Sequence, residues 1–343
     1  MKGLLTLLDT PKKKILFLAG AVLVLGFPFA VQRDSVITIG ILIMIYMIIA
    51  SALNMTNGYI GLFNVGIAGF MCLGAYTTAL LQTKAGAGFG ACLLASAAVT
   101  SVIGALFAYP TNRFSGLYFA ITTMGFSEIV RLIALNWQSF TNGPNGIMGI
   151  RRPVIFGYSF RSAKSFYFLV LVILLITIFC IYRILHSRVG TAWMSIRENA
   201  DAASSLGVPI ARYKSLNFLV MGFFAGAGGS LLAYYYGYIS SDMFMIDNGH
   251  EVLAMVMVGG AGTISGPLVG ALLLTVFTQI FRSVAQYRMV AYAIMLLIMM
   301  WVRPQGLIGN SYSVMAQQSV FAKKYAAYKN RKKRKKRIRE VDG

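Results

Sequence analysis

The sequence predicts an all-α, polytopic helical membrane protein. Of its 343 residues, 57% are hydrophobic and 12% are charged, whereas soluble domains carry roughly 25% charged residues. Long apolar runs recur along the chain, and most are close to the roughly 20 residues that an α-helix needs to cross a bilayer core. The sequence lacks the alternating segments of roughly ten residues that are typical of membrane β-barrels, so we expect the spans to be helices.

Nearly uncharged runs mark the expected spans in chain order. They cover 15–31, 36–56, 59–83, 91–109, 116–136, 166–182, 215–238, 252–284 and 289–302. The run 252–284 is too long for one span and contains GGAGTISGP at 259–267. Irregular backbone at membrane depth must be enclosed by protein or by a water cavity, so we predict either two segments or a re-entrant half-helix there. The expected total is about nine to ten membrane segments.

Basic residues predict the orientation of the chain. Lys and Arg cluster before residue 15, between 183 and 214, and after 322. Because an even number of runs precedes 183, the first two clusters lie on one side, and the positive-inside rule places all three in the cytoplasm. We expect a cytoplasmic N-terminus at 1–14, a transmembrane domain at 15–309 with a cytoplasmic loop at 183–214, and a basic cytoplasmic tail at 310–343. The loop at 137–165 is then external despite its four basic residues.

The net charge of +21 raises the question of nucleic-acid binding. The tail KNRKKRKKRIRE has no interleaved aromatic residues and matches no nucleic-acid-binding module. A polybasic segment beside a membrane is typical of binding to anionic lipid headgroups. We therefore expect anionic lipid, and no nucleic acid, as the partner of the tail.

Motifs for catalysis and for cofactor binding are absent from the sequence. It contains no phosphate-binding G-x-x-x-x-G-K-[ST] and no zinc-binding H-E-x-x-H, and His186 and His250 are solitary. The ten acidic residues are scattered and mostly lie in loops. We expect a non-enzymatic chain that binds no metal or cofactor itself.

The polar segment MSIRENADAASSLGVPIARYK (194–214) interrupts the apolar runs. Asp201 to Gly207 form the pattern [DE]-A-A-x-x-x-G, which predicts a short helix, over 197–208, capped by Gly207 and followed by Pro209. Small residues allow such a helix to lie in a cleft of another protein, with Arg197, Glu198 and Arg212 setting its register. Taken alone, the motif leaves an ordinary polar loop helix equally open.

Five sequence blocks carry a resemblance to a known family. They are NGYIGLFNVGIAGFMCLGAY (57–76), YFAITTMGFSEIVRLIALNWQSFTNGPNGIMGI (118–150), SIRENADAASSLGVPIARYKSLNF (195–218), VMVGGAGTISGPLVGALL (256–273) and VRPQGLIG (302–309). Together they are similar to the branched-chain amino-acid ABC transporter permease family, particularly its LivM-type subunits. The pattern from Asp201 to Gly207 resembles the coupling-helix motif of ABC importer permeases. One departure is Asn64-Val65-Gly66-Ile67, where relatives often read Ser-Leu-Gly-His.

The resemblance implies a type II ABC importer-like permease in the bacterial cytoplasmic (inner) membrane. Its implied substrates are branched-chain (hydrophobic) amino acids, although Ile67 leaves a different solute open if that position faces the pathway. The implied partners are a second, LivH-like permease subunit, two ATPase subunits that hold ATP and Mg²⁺, and an extracytoplasmic solute-binding protein. Residues implied in coupling to the ATPases are Arg197, Glu198, Asp201, Ala202, Ala203 and Gly207. Alternatives are a permease for urea or short-chain amides, an ion-coupled secondary transporter, and a membrane scaffold.

Polar residues inside apolar runs are candidates for the substrate pathway, because such residues are costly in a bilayer. They are Asn54, Asn64, Thr122, Thr123 and Glu128. Glu128 and Arg131 stand at i and i+3 and are expected to pair, which leaves open a neutralised pair that locks this span to a neighbour. The threonines are equally compatible with hydrogen bonds to their own helix.

Small residues at four-residue spacing predict close helix packing. Gly222, Gly226 and Ser230 form one such series, and Gly262, Gly266 and Gly270 form another. The second series also suits a broken helix that lines a cavity.

Overall fold

The computed structural model describes residues 33–114, 116–155, 157–280 and 306–308 together with Gly26 and Pro28, and this part of the protein is mainly helical. The helices are α1 (Asp34–Asn54), α2 (Ile67–Ala85), α3 (Phe89–Thr111), α4 (Gly116–Asn136), α5 (Gln138–Thr141), α6 (Ala163–Leu185), α7 (Arg188–Glu198), α8 (Ala200–Ser205), α9 (Ile210–Tyr236), α10 (Ile246–Gly259) and α11 (Ser265–Ile280). A π-helical turn (Met55–Tyr59) extends α1, and 3-10 turns occupy Gly143–Asn145 and Ser241–Phe244.

Within these described residues, each strand is only two residues long, and the strands form two pairs. They are β1 (Ile147–Met148), β2 (Val154–Ile155), β3 (Tyr158–Ser159) and β4 (Tyr238–Ile239). β1 pairs antiparallel with β4, and β2 pairs antiparallel with β3. The predicted all-α class is confirmed.

Five helices in the described ranges are long and apolar enough to cross a membrane. They are α1 with its π-helical turn, α3, α4, α6 and α9. The predicted spans at 15–31 and 289–302 lie outside the described residues, so the total of nine to ten segments stays a prediction.

The predicted span at 59–83 was wrong at its start. The chain leaves the helix after Tyr59, and α2 begins only at Ile67. Gly61 adopts a left-handed conformation (φ 77°), and the Asn64 side chain accepts a 2.8 Å hydrogen bond from the N–H of Gly66. The Asn57 side chain accepts a 3.1 Å hydrogen bond from the N–H of Asn64 and donates a 3.0 Å hydrogen bond to the carbonyl of Asn64. These hydrogen bonds pair polar backbone groups of the loop at 60–66, which the apolar composition of the run did not predict.

The run 252–284, as far as residue 280 where the description ends, forms two helices, as predicted, separated by a turn at 260–264. Gly262 adopts a positive φ of 82° in this turn. Gly259 packs against the carbonyl of Gly266, and Gly270 packs against the carbonyl of Met255, so α10 and α11 approach closely. With 14 residues, α10 is about 21 Å long, which is short of a bilayer core of about 30 Å. This length fits a half-helix.

The most buried span is α9, which packs against α2 and α3 through small residues. Gly222 contacts the carbonyl of Thr100, and Gly226 contacts the carbonyl of Ser96. The Ser230 hydroxyl accepts a 2.7 Å hydrogen bond from Thr78. The predicted packing role of this small-residue series is confirmed.

Candidate coupling site

The polar segment at 194–214 contains two helices, and the prediction of one helix over 197–208 was wrong. Asn199 has an extended backbone (φ −160°) between α7 and α8, and its side chain accepts a 3.0 Å hydrogen bond from the N–H of Ala202. Asn199 is therefore the N-cap of α8. Arg197 and Glu198 consequently belong to the last turn of α7, on a different axis from Asp201.

The predicted glycine cap of α8 is confirmed. Gly207 has a φ of 84°. Its N–H bonds the carbonyl of Ser204 at 2.9 Å, and the N–H of Val208 bonds the carbonyl of Ala203 at 3.0 Å. These two hydrogen bonds together form a Schellman motif, which requires a left-handed residue just past the helix.

Helix α8 presents most of its residues to solvent. Asp201, Ala202 and Gly207 are exposed, as is Glu198 at the end of α7. Leu206 is 86% exposed, whereas Ala203 is only 2% exposed and anchors α8 on the bundle. The exposed face combines small, apolar and acidic groups, which suits contact with another protein.

Arg197 points away from this exposed face and into the chain. Its Nη1 atom donates a 2.6 Å hydrogen bond to the carbonyl of Gly58 in the π-helical turn. A side chain at Gly61 would meet the Arg197 stem at 2.8 Å, and one at Gly262 would meet Nη1 at 2.8 Å. Arg197 is therefore enclosed between the π-helical turn, the loop at 60–66 and the turn at 260–264.

Asn217 binds the same π-helical turn from α9. Its Nδ2 donates to the carbonyl of Met55 at 3.0 Å, and its Oδ1 accepts from the Thr56 hydroxyl at 2.8 Å. Asn217 is fully buried. A π-helical turn is wider than an α-helical one, and its backbone N–H groups bond five residues back, as Ile60 does to the Met55 carbonyl at 3.4 Å. Arg197 and Asn217, which flank α8 in the sequence, add side-chain donors to the carbonyls of Gly58 and Met55.

Asn54 joins the end of α1 to the turn between α10 and α11. Its Nδ2 donates to the carbonyl of Thr263 at 2.8 Å, and its Oδ1 accepts from the N–H of Gly262 at 2.8 Å. Gly58 packs directly on the backbone of Gly262. We call Asn54, Gly58, Arg197, Asn217 and Gly262 the coupling cluster.

The side chains of three predicted pathway residues form hydrogen bonds with a loop or within their own helix. Asn64 and Thr123 are fully buried. The Thr123 hydroxyl accepts from the N–H of Val65 at 3.1 Å and donates to the carbonyl of Ala120 at 2.8 Å. Thr122 donates to the carbonyl of Tyr118 at 2.8 Å, the local bond that its sequence allowed. A pathway role for these residues stays a prediction.

Glu128 and Arg131 form the predicted ion pair. Arg131 Nη2 lies 2.5 Å from Glu128 Oε1, and Arg131 Nε lies 3.0 Å from Oε2. Both residues lie on α4, so the pair itself does not join two helices. Arg131 Nη1 also lies 4.0 Å from Asp242 Oδ1 in the turn Ser241–Phe244.

Sequence reasoning missed Asn217 and Asp242. Asn217 lies inside the apolar run 215–238, so the criterion that selected Asn54 would have selected it too. Asp242 carries no local signal, because its relation to Arg131 exists only in the folded chain. The described residues contain no group of three or more His, Cys, Asp or Glu side chains that could hold a metal ion.

Comparison with known proteins places the chain in a family. Residues 35–302 match the family described as branched-chain amino acid transport system / permease component. The chain is 36% identical over 324 residues to the high-affinity branched-chain amino acid transport system permease protein LivM of Salmonella typhimurium, covering 88% of this chain and 76% of that protein. LivM of Escherichia coli K12 shows the same identity and coverage.

A second type of permease subunit also resembles the chain. LivH of Salmonella typhimurium is 28% identical over 296 residues, covering 77% of this chain and 91% of that protein. No solved structure matches the chain significantly. The family match spans most of the chain, and it confirms the resemblance carried by the five sequence blocks. The protein is thus a multi-pass membrane protein that belongs to the family of branched-chain amino acid transport system permease components.

Proposed function

We propose that this non-catalytic subunit couples ATP hydrolysis on partner ATPases to the import of branched-chain amino acids. In this proposal α8 docks on an ATPase subunit, and the coupling cluster carries its displacement to the membrane spans. The observation that supports it is that Arg197 and Asn217, on either side of α8, both bind the π-helical turn of α1. A shift of α8 therefore acts on one irregular segment from two sides.

The proposed division of roles differs among the six residues implied in coupling. Asp201, Ala202 and Gly207 are exposed and would contact the ATPase together with Glu198. Ala203 is buried and fixes α8 to the bundle. Arg197 is bonded within the permease and would transmit motion rather than bind the partner.

The proposed substrates are leucine, isoleucine and valine. The names of the LivM and LivH relatives support this class. Ile67, the departure that left another solute open, is fully buried as the first residue of α2. Ile67 is packed in the core in this conformation, which is compatible with the same substrates.

The proposed assembly contains a LivH-like permease, two ATPase subunits that hold ATP and Mg²⁺, and an extracytoplasmic solute-binding protein. We propose that α8, residues 1–14 and residues 310–343 face the cytoplasm of a bacterium, with the membrane domain at 15–309 in the inner membrane. The basic tail would bind anionic lipid. At the opposite end, a cleft of about 600 Å³ between Lys84 and the turn at 142–146 offers an open surface to the binding protein.

The test replaces the glycine that caps α8. Gly207→Val places a β-branched residue at a φ of 84°, which is strained and opens the cap. Gly157→Val is the matched control, because Gly157 also has a positive φ, of 81°, and open space around it. Gly157 lies between β2 and β3, at the other end of α6 from α7 and outside the cleft at Lys84. The readout is leucine uptake per ATP hydrolysed by the complete complex in proteoliposomes.

We expect Gly207→Val to lower uptake per ATP about tenfold or more, because the α8 contact contributes at least about 1.4 kcal/mol to coupling. Gly157→Val should keep the wild-type uptake per ATP. Equal leucine uptake per ATP in both variants would show that α8 does not take part in coupling. ATP-dependent uptake of urea or short-chain amides in place of leucine would overturn the substrate assignment while leaving the importer role.

A further inference from the structure

Glu128, Arg131 and Asp242 form a charged cluster far from the coupling cluster. Glu128 is the only acidic residue in the sequence between Asp34 and Glu198. It lies in the second half of α4, and Asp242 follows β4 in the turn Ser241–Phe244. The ion pair therefore lies toward the end of the bundle that carries the short strands.

The cluster lies on an exposed, otherwise apolar stripe of α4. The Glu128 and Arg131 side chains are 31% and 15% exposed. Residues at i, i+3 and i+4 share a helix face. The stripe beside Glu128 consists of the exposed residues Ile121, Gly125 and Leu132. Charged side chains at membrane depth are costly against lipid, and a water-filled pathway along this stripe would avoid that cost.

The cluster leaves a donor and an acceptor side by side. Glu128 engages Nε and Nη2 of Arg131. Arg131 Nη1 makes no hydrogen bond within the described residues, and it lies 4.0 Å from an Asp242 carboxylate that is 66% exposed. An arginine fork binds a carboxylate well, and a carboxylate binds an ammonium group. Arg131 and Asp242 are paired only at this long distance, so together they are complementary to the adjacent carboxylate and ammonium of an α-amino acid.

The stripe also has room for an apolar side chain. Gly125 lies one helical turn before Glu128, and a Cβ atom built there would have no neighbour within 4 Å. Ile121 and Ile129, both 59% exposed, flank this open position. A branched aliphatic side chain that lies at Gly125 would bury apolar surface beside the charged cluster.

We propose that Glu128, Arg131 and Asp242 form an entry site for zwitterionic amino acids released from the binding protein. Arg131, positioned by Glu128, binds the substrate carboxylate, Asp242 binds the ammonium group, and the surface at Gly125 accepts the aliphatic side chain. The site rests on the proposed import function and adds to it a point of direct substrate recognition on the permease.

The test measures ligand binding to the purified complete complex, without binding protein, by saturation-transfer NMR. The probes are leucine, 4-methylpentanoate, which lacks the ammonium group, and 3-methylbutylamine, which lacks the carboxylate. Wild-type complex should bind leucine about tenfold more tightly than either analogue, the effect of losing one charge-assisted contact. Asp242→Asn should bring leucine and 4-methylpentanoate to equal affinity, and Arg131→Gln should do so for leucine and 3-methylbutylamine.

Asp247→Asn is the matched control. Asp247 is 60% exposed and lies 4.0 Å from His250, the same distance that separates Asp242 from Arg131, but it is outside the cluster. It should leave the preference for leucine unchanged. A wild-type complex that imports leucine with ATP but shows equal affinity for the three probes would overturn the entry site and leave the import function standing. So would an unchanged preference in Asp242→Asn. If the wild-type complex does not import leucine with ATP, the proposed function is overturned, and the entry site with it.

Discussion

Arg197 of α7 and Gly58 of the π-helical turn are joined by a 2.6 Å hydrogen bond between residues 139 positions apart. Arg197 was predicted to contact an ATPase directly, but its guanidinium group lies inside the permease. A charged donor to a backbone carbonyl is stronger than a neutral one, so this bond ties the segment before α8 firmly to α1. The coupling loop and the membrane spans are thus linked by side chains as well as by the chain itself.

Removing this bond should uncouple transport. We expect Arg197→Gln to lower leucine uptake per ATP about tenfold, because a hydrogen bond to a charged group contributes about 1.5–3 kcal/mol. Arg197→Lys should recover part of the loss, since one N–H is enough for the Gly58 carbonyl. The control is Arg183→Gln, an exposed base near the end of α6. Uptake per ATP in Arg197→Gln equal to that of the control would contradict a transmitting role.

Loss of Asn217 should destabilise the protein. Asn217→Ala leaves the Thr56 hydroxyl without its partner in the core and removes one of two donors to the Met55 carbonyl, and an unsatisfied buried group costs about 1–3 kcal/mol. Asn136→Ala removes one bond from an exposed asparagine to Leu132 and should change stability by less than about 0.5 kcal/mol. The measurement is the thermal unfolding midpoint in detergent. Similar midpoints for the two variants would show that the π-helical turn does not depend on Asn217.

Close packing of α9 on α3 should be sensitive to a single methyl group. In Gly226→Ala, the new Cβ would overlap the Thr100 hydroxyl and approach the carbonyl of Ser96, so we expect a loss of about 1–3 kcal/mol. Gly90→Ala adds the same methyl to an exposed glycine of α3 with open space around it. Its effect should be neutral or stabilising by up to about 1 kcal/mol, because alanine favours helix. Thermal unfolding of the two variants compares these outcomes, and a stable Gly226→Ala would argue against the close contact.

The N-cap of α8 should control ATPase binding. Asn199→Ala removes the bond to the N–H of Ala202 and destabilises the helix start by about 1 kcal/mol. We expect a roughly fivefold weaker affinity between permease and ATPase subunits, measured by titration of the detergent-solubilised proteins. Asn199→Ser should restore most of the affinity, because serine caps equally well. Unaltered affinity in Asn199→Ala would mean that α8 is not the docking element.

The sequence by itself determined the class of protein, most of the helical segments in the described ranges and the position of the polar segment at 194–214. These features depend on local composition, such as apolar runs of membrane length, or on a short pattern such as Asp201 to Gly207. The small-residue series on α9 was also visible, because four-residue spacing places Gly222 and Gly226 on one face whatever the fold. Membership of the permease family followed from five blocks in a fixed order.

Only the tertiary structure decided what the polar side chains do. Arg197, Asn54 and Asn64 each have partners that no spacing rule identifies, because they bind backbone groups in irregular segments. Asn199 likewise splits the expected single helix, since a local side-chain bond competes with helix continuation there. The nearness of Arg131 to Asp242 depends on the packing of α4 against the turn after β4. Local patterns determine which segments become helices, but partners between distant segments arise only when those helices pack and leave polar groups that must be satisfied.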